Sequence, residues 1–215
     1  MLAALLSCAA VAAALLSIRA HYRGEAGRRQ VYLFKPLATL LILAVMLVLP
    51  PAAERYRWAV VAGLLFSTAG DIFLMLPRDR FVFGLTSFLV AHLCYLAAFT
   101  TGVPLGAAWA GWLPFFLAGG GVVFLVWSGL KPALRAPVVA YVVVIAAMAG
   151  QAGSRWSLVG GMPALLGLAG ASLFVVSDAV LAIDRFRRPF HAARALTLAT
   201  YYPAQLLIAL SVSAA

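Results

Sequence analysis

The chain has 215 residues, of which 65% are hydrophobic and only 10% are charged, and its formal net charge is +10. About a quarter of the residues of a soluble domain are charged, so this composition excludes a soluble globular protein and indicates an integral membrane protein. The positive charge would fit a nucleic-acid-binding protein. The basic residues, however, lie mostly between apolar segments, where they indicate membrane topology and not a nucleic-acid partner.

A transmembrane helix needs about 20 consecutive, mostly apolar residues. The sequence predicts eight such helices, at about 2–18, 36–50, 58–76, 82–100, 111–130, 137–153, 159–182 and 193–212. The first is interpreted as an ordinary helix and not a signal peptide, because it has neither a basic start nor a small-residue cleavage site before a soluble domain. We therefore expect residues 1–215 to form a single all-α, polytopic membrane domain.

The basic residues are distributed unevenly between the two sides of the predicted bundle. The loops after helices one, three, five and seven hold thirteen of them, and the other side holds three: Arg19, Arg23, Arg28, Arg29, Lys35, Arg78, Arg80, Lys131, Arg135, Arg185, Arg187, Arg188 and Arg194 against Arg55, Arg57 and Arg155. By the positive-inside rule the first side is cytoplasmic, and both termini lie outside. The arginine-rich usage favours a bacterial inner membrane, whose anionic lipids attract the basic surface.

One carboxylate, Asp71, lies inside the third apolar segment, where a charge costs a few kcal/mol. A second copy of its surroundings occurs later in the chain. GDIFLMLPRDRF at 70–81 and SDAVLAIDRF at 177–186 share a small residue before Asp, a Leu three residues later and a terminal Asp-Arg-Phe. The copies predict two four-helix halves, 1–110 and 111–215, related as a parallel repeat.

The repeat places Asp71 and Asp178 at one depth, about 9 Å inside the cytoplasmic end of their helices. Because no Lys or Arg lies within these two helices, we expect no structural ion pair and interpret the two aspartates as catalytic. Lys35, just before Pro36 at the start of helix two, is predicted to contact a phosphate at the rim. The remaining candidates for substrate binding are polar residues of the same region: His92, Tyr95, Tyr141, Ser177, Tyr201, Tyr202 and Gln205.

Two carboxylates close together do not both ionise easily, so one is expected to be protonated and the other charged. That division supplies an acid together with a base or a charge stabiliser, as in glycosidases and aspartic proteases. Neither a metal nor a cofactor is expected, because His92 is the only intramembrane histidine. A phospholipid-like substrate fits, with its phosphate at the basic rim and its chain in the apolar interior.

Several segments carry a resemblance to a known family. They are KPLATLL at 35–41, GDIFLML at 70–76, the stretch from Phe81 through Ala91-His92 to Tyr95, the stretch from Tyr141 to Met148, GASLFVVSDAVLAIDRF at 170–186 and TYYPAQLLI at 200–208. In these segments the chain resembles the YhhN family of multi-spanning membrane proteins, which includes lysoplasmalogenase. The resemblance implies an eight-helix hydrolase that cleaves the vinyl ether of lysoplasmalogens. Its products would be a fatty aldehyde and glycerophospho-ethanolamine or -choline, and it would need no cofactor.

Two other classes use similar features. A proton-coupled transporter of small molecules or lipids would also have repeats, a buried acidic pair and basic rims. Helices broken in both halves would favour it, and Gly119–Gly121 is expected to interrupt helix five, although helix one has no matching run. An intramembrane aspartyl protease is less favoured, because Gly70-Asp71 is preceded by Thr68-Ala69 and not by the Gly-x of that family's motif. The sequence does not predict the oligomeric state.

Overall fold

A computed structural model describes residues 1–77 and 79–213. It contains eight long α-helices and three short 3₁₀ turns, the latter at Gly24–Gly27, Trp109–Trp112 and Trp127–Gly129. The helices are α1 Leu2–His21, α2 Arg28–Val48, α3 Glu54–Met75, α4 Phe81–Phe99, α5 Leu113–Val126, α6 Pro132–Val159, α7 Gly161–Phe186 and α8 Ala193–Leu210.

Seven spans among the described residues are long and apolar enough to cross a membrane. They correspond to α1 to α7, with α5 counted together with the 3₁₀ turns on either side of it, as Trp109–Gly129. The eighth, α8, has 18 residues and is less apolar because it carries Tyr201, Tyr202 and Gln205, all of which are buried inside the bundle. The prediction of an all-α, polytopic membrane protein is therefore confirmed.

Two helices begin earlier than predicted. α2 starts at Arg28 and not near 36, and α6 starts at Pro132 and not near 137, so that Pro36 and Pro137 lie inside their helices. Each proline lies beyond the first turn, where it leaves the carbonyl four residues earlier without its helical donor, and the helix nevertheless continues through it. As a consequence Lys35 lies two turns inside α2 and not at its start.

Helix α5 runs without a break from Leu113 to Val126. The expected interruption at Gly119–Gly121 is therefore wrong, since all three glycines have helical neighbours on both sides. The sharp reversal in this half of the chain lies elsewhere, at Gly160 and Gly161, whose φ angles of +69° and +76° suit residues without a Cβ atom. These two glycines end α6 and start α7 with almost no loop.

Helix pairs α1–α2, α3–α4 and α7–α8 pack as adjacent hairpins, while α4–α6 and α2–α8 join the two halves. The contacts of one half recur in the other when each helix is replaced by the one four positions away, with α8 replaced by α4. In this way α1–α2 corresponds to α5–α6, α3–α4 to α7–α8, α2–α3 to α6–α7 and α2–α8 to α6–α4. Close packing against a glycine also occurs in both halves, at Gly63 on α3 and Gly170 on α7. A Cβ atom on Gly63 would meet the Tyr95 ring at 2.2 Å, and one on Gly170 would meet the Ala204 carbonyl oxygen at 2.8 Å. The parallel repeat stays a prediction, and this packing supports it.

The connections after α1, α3, α5 and α7 lie at one end of the bundle, here named the basic end. The Tyr22 hydroxyl donates to the carbonyl of His191 at 3.0 Å, and Arg187 donates to the carbonyl of Leu125 at 2.7 Å. At the opposite end Pro51 forms a bridge with Ser213. The loops of the basic end are those that hold the excess of basic residues; Arg78, one of them, lies outside the described residues.

Candidate active site

A cavity of about 370 Å³ opens at the basic end and reaches Asp71 and Asp178. Here it is named the polar cavity. Lys35 and Tyr201 lie beside Asp71 in its lining, and Ser177 lies beside Asp178. The two aspartates thus face one shared space, although they belong to different halves of the chain.

Asp71 on α3 is almost completely buried, with 1% of its surface exposed. The Lys35 ammonium lies 3.2 Å from Asp71 Oδ1, and its Nζ also approaches the Asp71 backbone carbonyl at 3.5 Å. The hydroxyls of Thr39 and Tyr201 donate to Asp71 Oδ2 at 2.9 Å and 2.8 Å. Lys35, Thr39, Asp71 and Tyr201 are named the Asp71 centre.

This geometry corrects two expectations. Asp71 does have a basic partner, since Lys35 reaches it from the neighbouring helix α2. Lys35 in turn is buried, with 4% of its surface exposed, so it lies at the inner part of the polar cavity and not at a rim. The predicted spans of the two aspartates, 58–76 and 159–182, hold no Lys or Arg of their own, but in a helix bundle an ion pair forms readily between neighbouring helices.

Asp178 on α7 has different partners and is more accessible, with 15% of its side chain exposed. The Tyr141 hydroxyl donates a short hydrogen bond to Asp178 Oδ2. His92 Nε2 lies 3.3 Å from the same oxygen and 2.9 Å from the Tyr141 hydroxyl. The Nδ1 atom of His92 has no hydrogen-bond partner among the described residues. His92, Tyr141 and Asp178 are named the Asp178 centre.

The two centres are built in the same way. Each carboxylate binds the helix that precedes its own, through Thr39 on α2 or Tyr141 on α6, and the fourth helix of the other half, through Tyr201 on α8 or His92 on α4. The carboxylates are not hydrogen-bonded to each other; each is held by its own set of donors. Their difference therefore comes from their partners, a cation for Asp71 and an imidazole with a phenol for Asp178.

Aromatic rings pack between the two centres. The ring of Phe174, which is fully buried, lies 4.6 Å from the His92 ring and 5.5 Å from the Tyr201 ring, both edge to face. Phe88 contacts Phe174 and Tyr201 in the same manner. Sequence reasoning missed Thr39, Phe88 and Phe174. Only Thr39 left a signal, because it follows Lys35 by four residues and so shares its helix face.

The other predicted contacts divide into two groups. Ser177 lines the polar cavity, and its hydroxyl donates to the carbonyl of Thr197 at 3.1 Å. Tyr95, Tyr202 and Gln205 line neither this cavity nor the apolar one described next. The Tyr95 hydroxyl donates to Gln205 Oε1 at 2.6 Å, and Tyr202 donates to Ser17 at 3.2 Å. All three residues are buried, and the Tyr202 ring lies 5.1 Å from the Tyr201 ring.

A second, narrower cavity runs between α4, α5, α6 and α7 and is almost entirely apolar. It is named the chain slot. Asp178 and Tyr141 are the polar residues in its lining, and Phe88 and Leu181 line it together with the polar cavity. Asp178 is therefore the carboxylate at which a polar and an apolar space meet.

The mouth of the polar cavity carries both signs of charge. Arg185 donates to Asp79 at 2.5 Å, and this hydrogen bond holds the pKa of Asp79, which lies outside the spanning helices, below its usual range. Asp79 is then ionised at neutral pH and neutralises Arg185. Arg194 also lines the mouth and makes no salt bridge to a described carboxylate.

No group of three or more His, Cys, Asp or Glu side chains in the described ranges is arranged to hold a metal ion. The potential ligands are dispersed, and the one intramembrane histidine is bonded to Tyr141 and Asp178.

Fold and site together define a polytopic helical membrane protein with one buried and one partly buried carboxylate centre on a cavity open at the basic end. Residues 30–212 match the model of the YhhN family, and the chain belongs to that family. It is 32% identical to the uncharacterized membrane protein YhhN of Escherichia coli O157:H7, over 91% of this chain and 92% of that protein.

Other relatives have more specific names. The bovine protein named lysoplasmalogenase TMEM86A is 40% identical over 75% of this chain and 66% of its own length. The Mycobacterium tuberculosis protein named lysoplasmalogenase is 33% identical over 81% of this chain and 67% of its own length. No solved structure matches the chain.

The first prediction concerns the buried ion pair. Lys35→Met leaves the Asp71 carboxylate without a counter-charge and should lower the free energy of unfolding by about 3–5 kcal/mol. Adding Asp71→Asn removes the orphaned charge and should restore most of that stability. Thermal unfolding in detergent measures both effects, with Lys131→Met at the exposed start of α6 as the control. A Lys35→Met protein as stable as the parent would contradict the pairing.

Proposed function

We propose that this chain is a membrane hydrolase that cleaves the vinyl ether bond of lysoplasmalogens. The reaction would give a fatty aldehyde and a glycerophospho-ethanolamine or -choline. The observation that carries the proposal is the position of Asp178, on the polar cavity and the chain slot at once. Relatives named lysoplasmalogenase, at 33–40% identity, support it.

The vinyl ether of such a lipid lies between a polar headgroup and a hydrocarbon chain, so a site for it must join two kinds of surface. With the glycerophosphate in the polar cavity, the ether oxygen reaches the level of Asp178. The membrane supplies the substrate, and the basic end of the bundle matches a phosphate. The partners are thus a lysophospholipid and the surrounding membrane lipid.

Hydrolysis of a vinyl ether begins with protonation of the carbon beyond the ether-bearing one. In the proposed reaction the Asp178 carboxyl gives this proton, and the electron pair of the double bond forms the new C–H bond. The resulting oxocarbenium ion takes up water, which loses a proton back to a carboxylate. The hemiacetal then collapses to aldehyde and alcohol. This acid–base sequence needs no cofactor.

The partners of the two aspartates suggest how the roles divide. Asp71, matched by Lys35 at 3.2 Å, stays charged and stabilises the cation across the cavity or activates the water. Asp178, whose partners among the described residues are Tyr141 and His92, exchanges the proton. Tyr141 and His92 hold its carboxyl in place.

The remaining candidate residues are proposed either to position groups around the two aspartates or to bind the substrate. Ser177 is proposed to contact the glycerol portion, since it lines the polar cavity beside Asp178. Tyr95, Tyr202 and Gln205 position Tyr201 from behind. Lys35 is proposed chiefly as the counter-charge of Asp71, and the phosphate contact passes to Arg194 at the mouth.

The second prediction tests the two-carboxylate mechanism. Asp71→Asn and Asp178→Asn retain size and hydrogen bonding but lose acid and charge. Each should lower the hydrolysis of lysoplasmenyl lipid by about 10²-fold or more. The double variant should be little worse than either single one, because the two act as a unit. Release of free aldehyde by the purified proteins, measured by mass spectrometry, gives the rates.

Glu54→Gln is the matched control, since Glu54 is an exposed carboxylate at the end opposite the polar cavity. A saturated alkyl-ether analogue should bind without turnover, because it has no carbon to protonate. A folded Asn variant with near-normal hydrolysis would overturn the mechanism and leave transport or packing as the better role for that aspartate.

The third prediction concerns the phosphate. Arg194→Gln should raise KM for lysoplasmenyl lipid severalfold while changing kcat less, because the headgroup contact is made equally in the ground and transition states. Arg188→Gln is the control, because Arg188 is exposed at the same end but does not line the polar cavity. Steady-state kinetics in mixed micelles measure both. An unchanged KM for Arg194→Gln would remove this residue from the binding site.

The fourth prediction concerns orientation. We propose a bacterial inner membrane with the basic end in the cytoplasm, both termini outside and the polar cavity open to the inner leaflet. Reporter fusions at the last residue and near Arg187 should report opposite compartments, with the Arg187 loop inside. A cytoplasmic C-terminus would reverse the leaflet that supplies the substrate.

A further inference from the structure

The chain slot begins at the reactive carboxylate and leads away from the polar cavity. Its lining from α5 and α6 is apolar except for Tyr141, whose hydroxyl is already bonded to Asp178. Five residues line both this slot and the polar cavity: Leu74, Phe81, Phe88, Asp178 and Leu181. The two spaces therefore adjoin, with Asp178 at their boundary.

We propose that the chain slot holds the hydrocarbon chain of the lipid substrate and that Gly119 on α5 sets how bulky a chain fits. The proposal rests on the proposed function for the identity of the lipid. A hydrocarbon chain is the expected occupant because the slot is continuous with the polar cavity. A lysolipid whose headgroup fills the polar cavity must place its chain beyond Asp178, and the slot is the apolar space that starts there.

The slot is suited to a chain by its chemistry as well. A volume of about 70 Å³ makes it a narrow space, so a chain that enters it must push the aliphatic side chains of its lining apart. Val122 and Val142 are two of these side chains, on the facing helices α5 and α6. Among the described residues no charged group other than Asp178 lines it, so a polar ligand would lose its hydration there without replacement.

Gly119 lies where α5 faces α6. It is buried although most of α5 is exposed, and a Cβ atom at this position would meet Val142 Cγ1 at 2.7 Å. A Cβ atom on Gly120 or Gly121 would meet nothing within 4 Å. The three glycines therefore differ sharply in what a side chain would do, and only Gly119 lines the slot.

The first experiment compares Gly119→Leu with Gly120→Leu on lysoplasmenyl lipids carrying a hexadecenyl or a hexenyl chain. Gly119→Leu should lower kcat/KM for the long chain at least about tenfold more than for the short one, which is the lower end of what one methylene group is worth in an apolar pocket. Gly120→Leu should leave the ratio unchanged, and Gly119→Ala should give an intermediate shift. Equal losses for both chains would overturn the role of Gly119.

The second experiment does not depend on turnover. The parent protein in nanodiscs is irradiated with a saturated lysophosphatidylethanolamine that carries a diazirine near the chain end. Mass spectrometry should find labelled α5 and α6 peptides that include Val122 or Val142, and unlabelled lysolipid should compete. Labelling confined to lipid-exposed residues such as Phe124, without competition, would overturn the chain site.

The two experiments separate the possible failures. A parent protein that yields no aldehyde but is labelled in the slot would contradict the proposed hydrolysis and keep the chain site. A parent protein that hydrolyses vinyl ether, with labelling outside the slot, would contradict the chain site and keep the hydrolysis.

Discussion

The Asp71 carboxylate lies buried inside the bundle, so protein groups must balance its charge and bind its oxygens. The rest of the site depends on this constraint. Hydrocarbon offers no water to a charge, so every oxygen of a buried carboxylate needs a donor from the protein. Two helices meet this need for Asp71 on α3, because Lys35 and Thr39 reach its carboxylate from α2 and Tyr201 reaches it from α8. A rotation of any of these helices would break several polar contacts at once. The charge thus fixes how α2, α3 and α8 lie against one another, and it does so at the inner part of the polar cavity.

The second carboxylate, Asp178, is held in a similar arrangement by different side chains. Asp178 takes its donors from α6 and α4, the helices that a parallel repeat would make equivalent to α2 and α8. Its partners, Tyr141 and His92, bring no permanent charge where the other centre has Lys35. In the proposed mechanism two similar arrangements supply two roles, and the difference between them comes from the Lys35 cation beside Asp71. This is a simpler source of asymmetry than repulsion between carboxylates, since the two are not hydrogen-bonded to each other.

The sequence was sufficient for the helices, the aspartates and most of their polar neighbours, because apolar length and isolated charges are local signals. It was insufficient for anything that depends on which face of one helix meets another. Pro36 made α2 appear to begin where it is already two turns long, and this misplaced Lys35 at a rim. Phe174 and Gly119 look like ordinary apolar and small residues in the sequence. Only the packing of α7 against the two centres, and of α5 against Val142, gives them a role.

A hydrolase embedded among lipids must also avoid destroying them, and the proposed chemistry supplies that selectivity. Neither centre contains a serine, threonine or cysteine nucleophile next to a general base, apart from Thr39, whose hydroxyl is already donated to Asp71. An acid that works by protonating carbon finds no such carbon in an ester or a saturated ether. With this proposed chemistry, the polar cavity could stand open to the membrane surface and admit ordinary lysophospholipids without cleaving them. Selection by reactivity leaves the binding residues free to recognise only what all these lipids share, a phosphate and a chain.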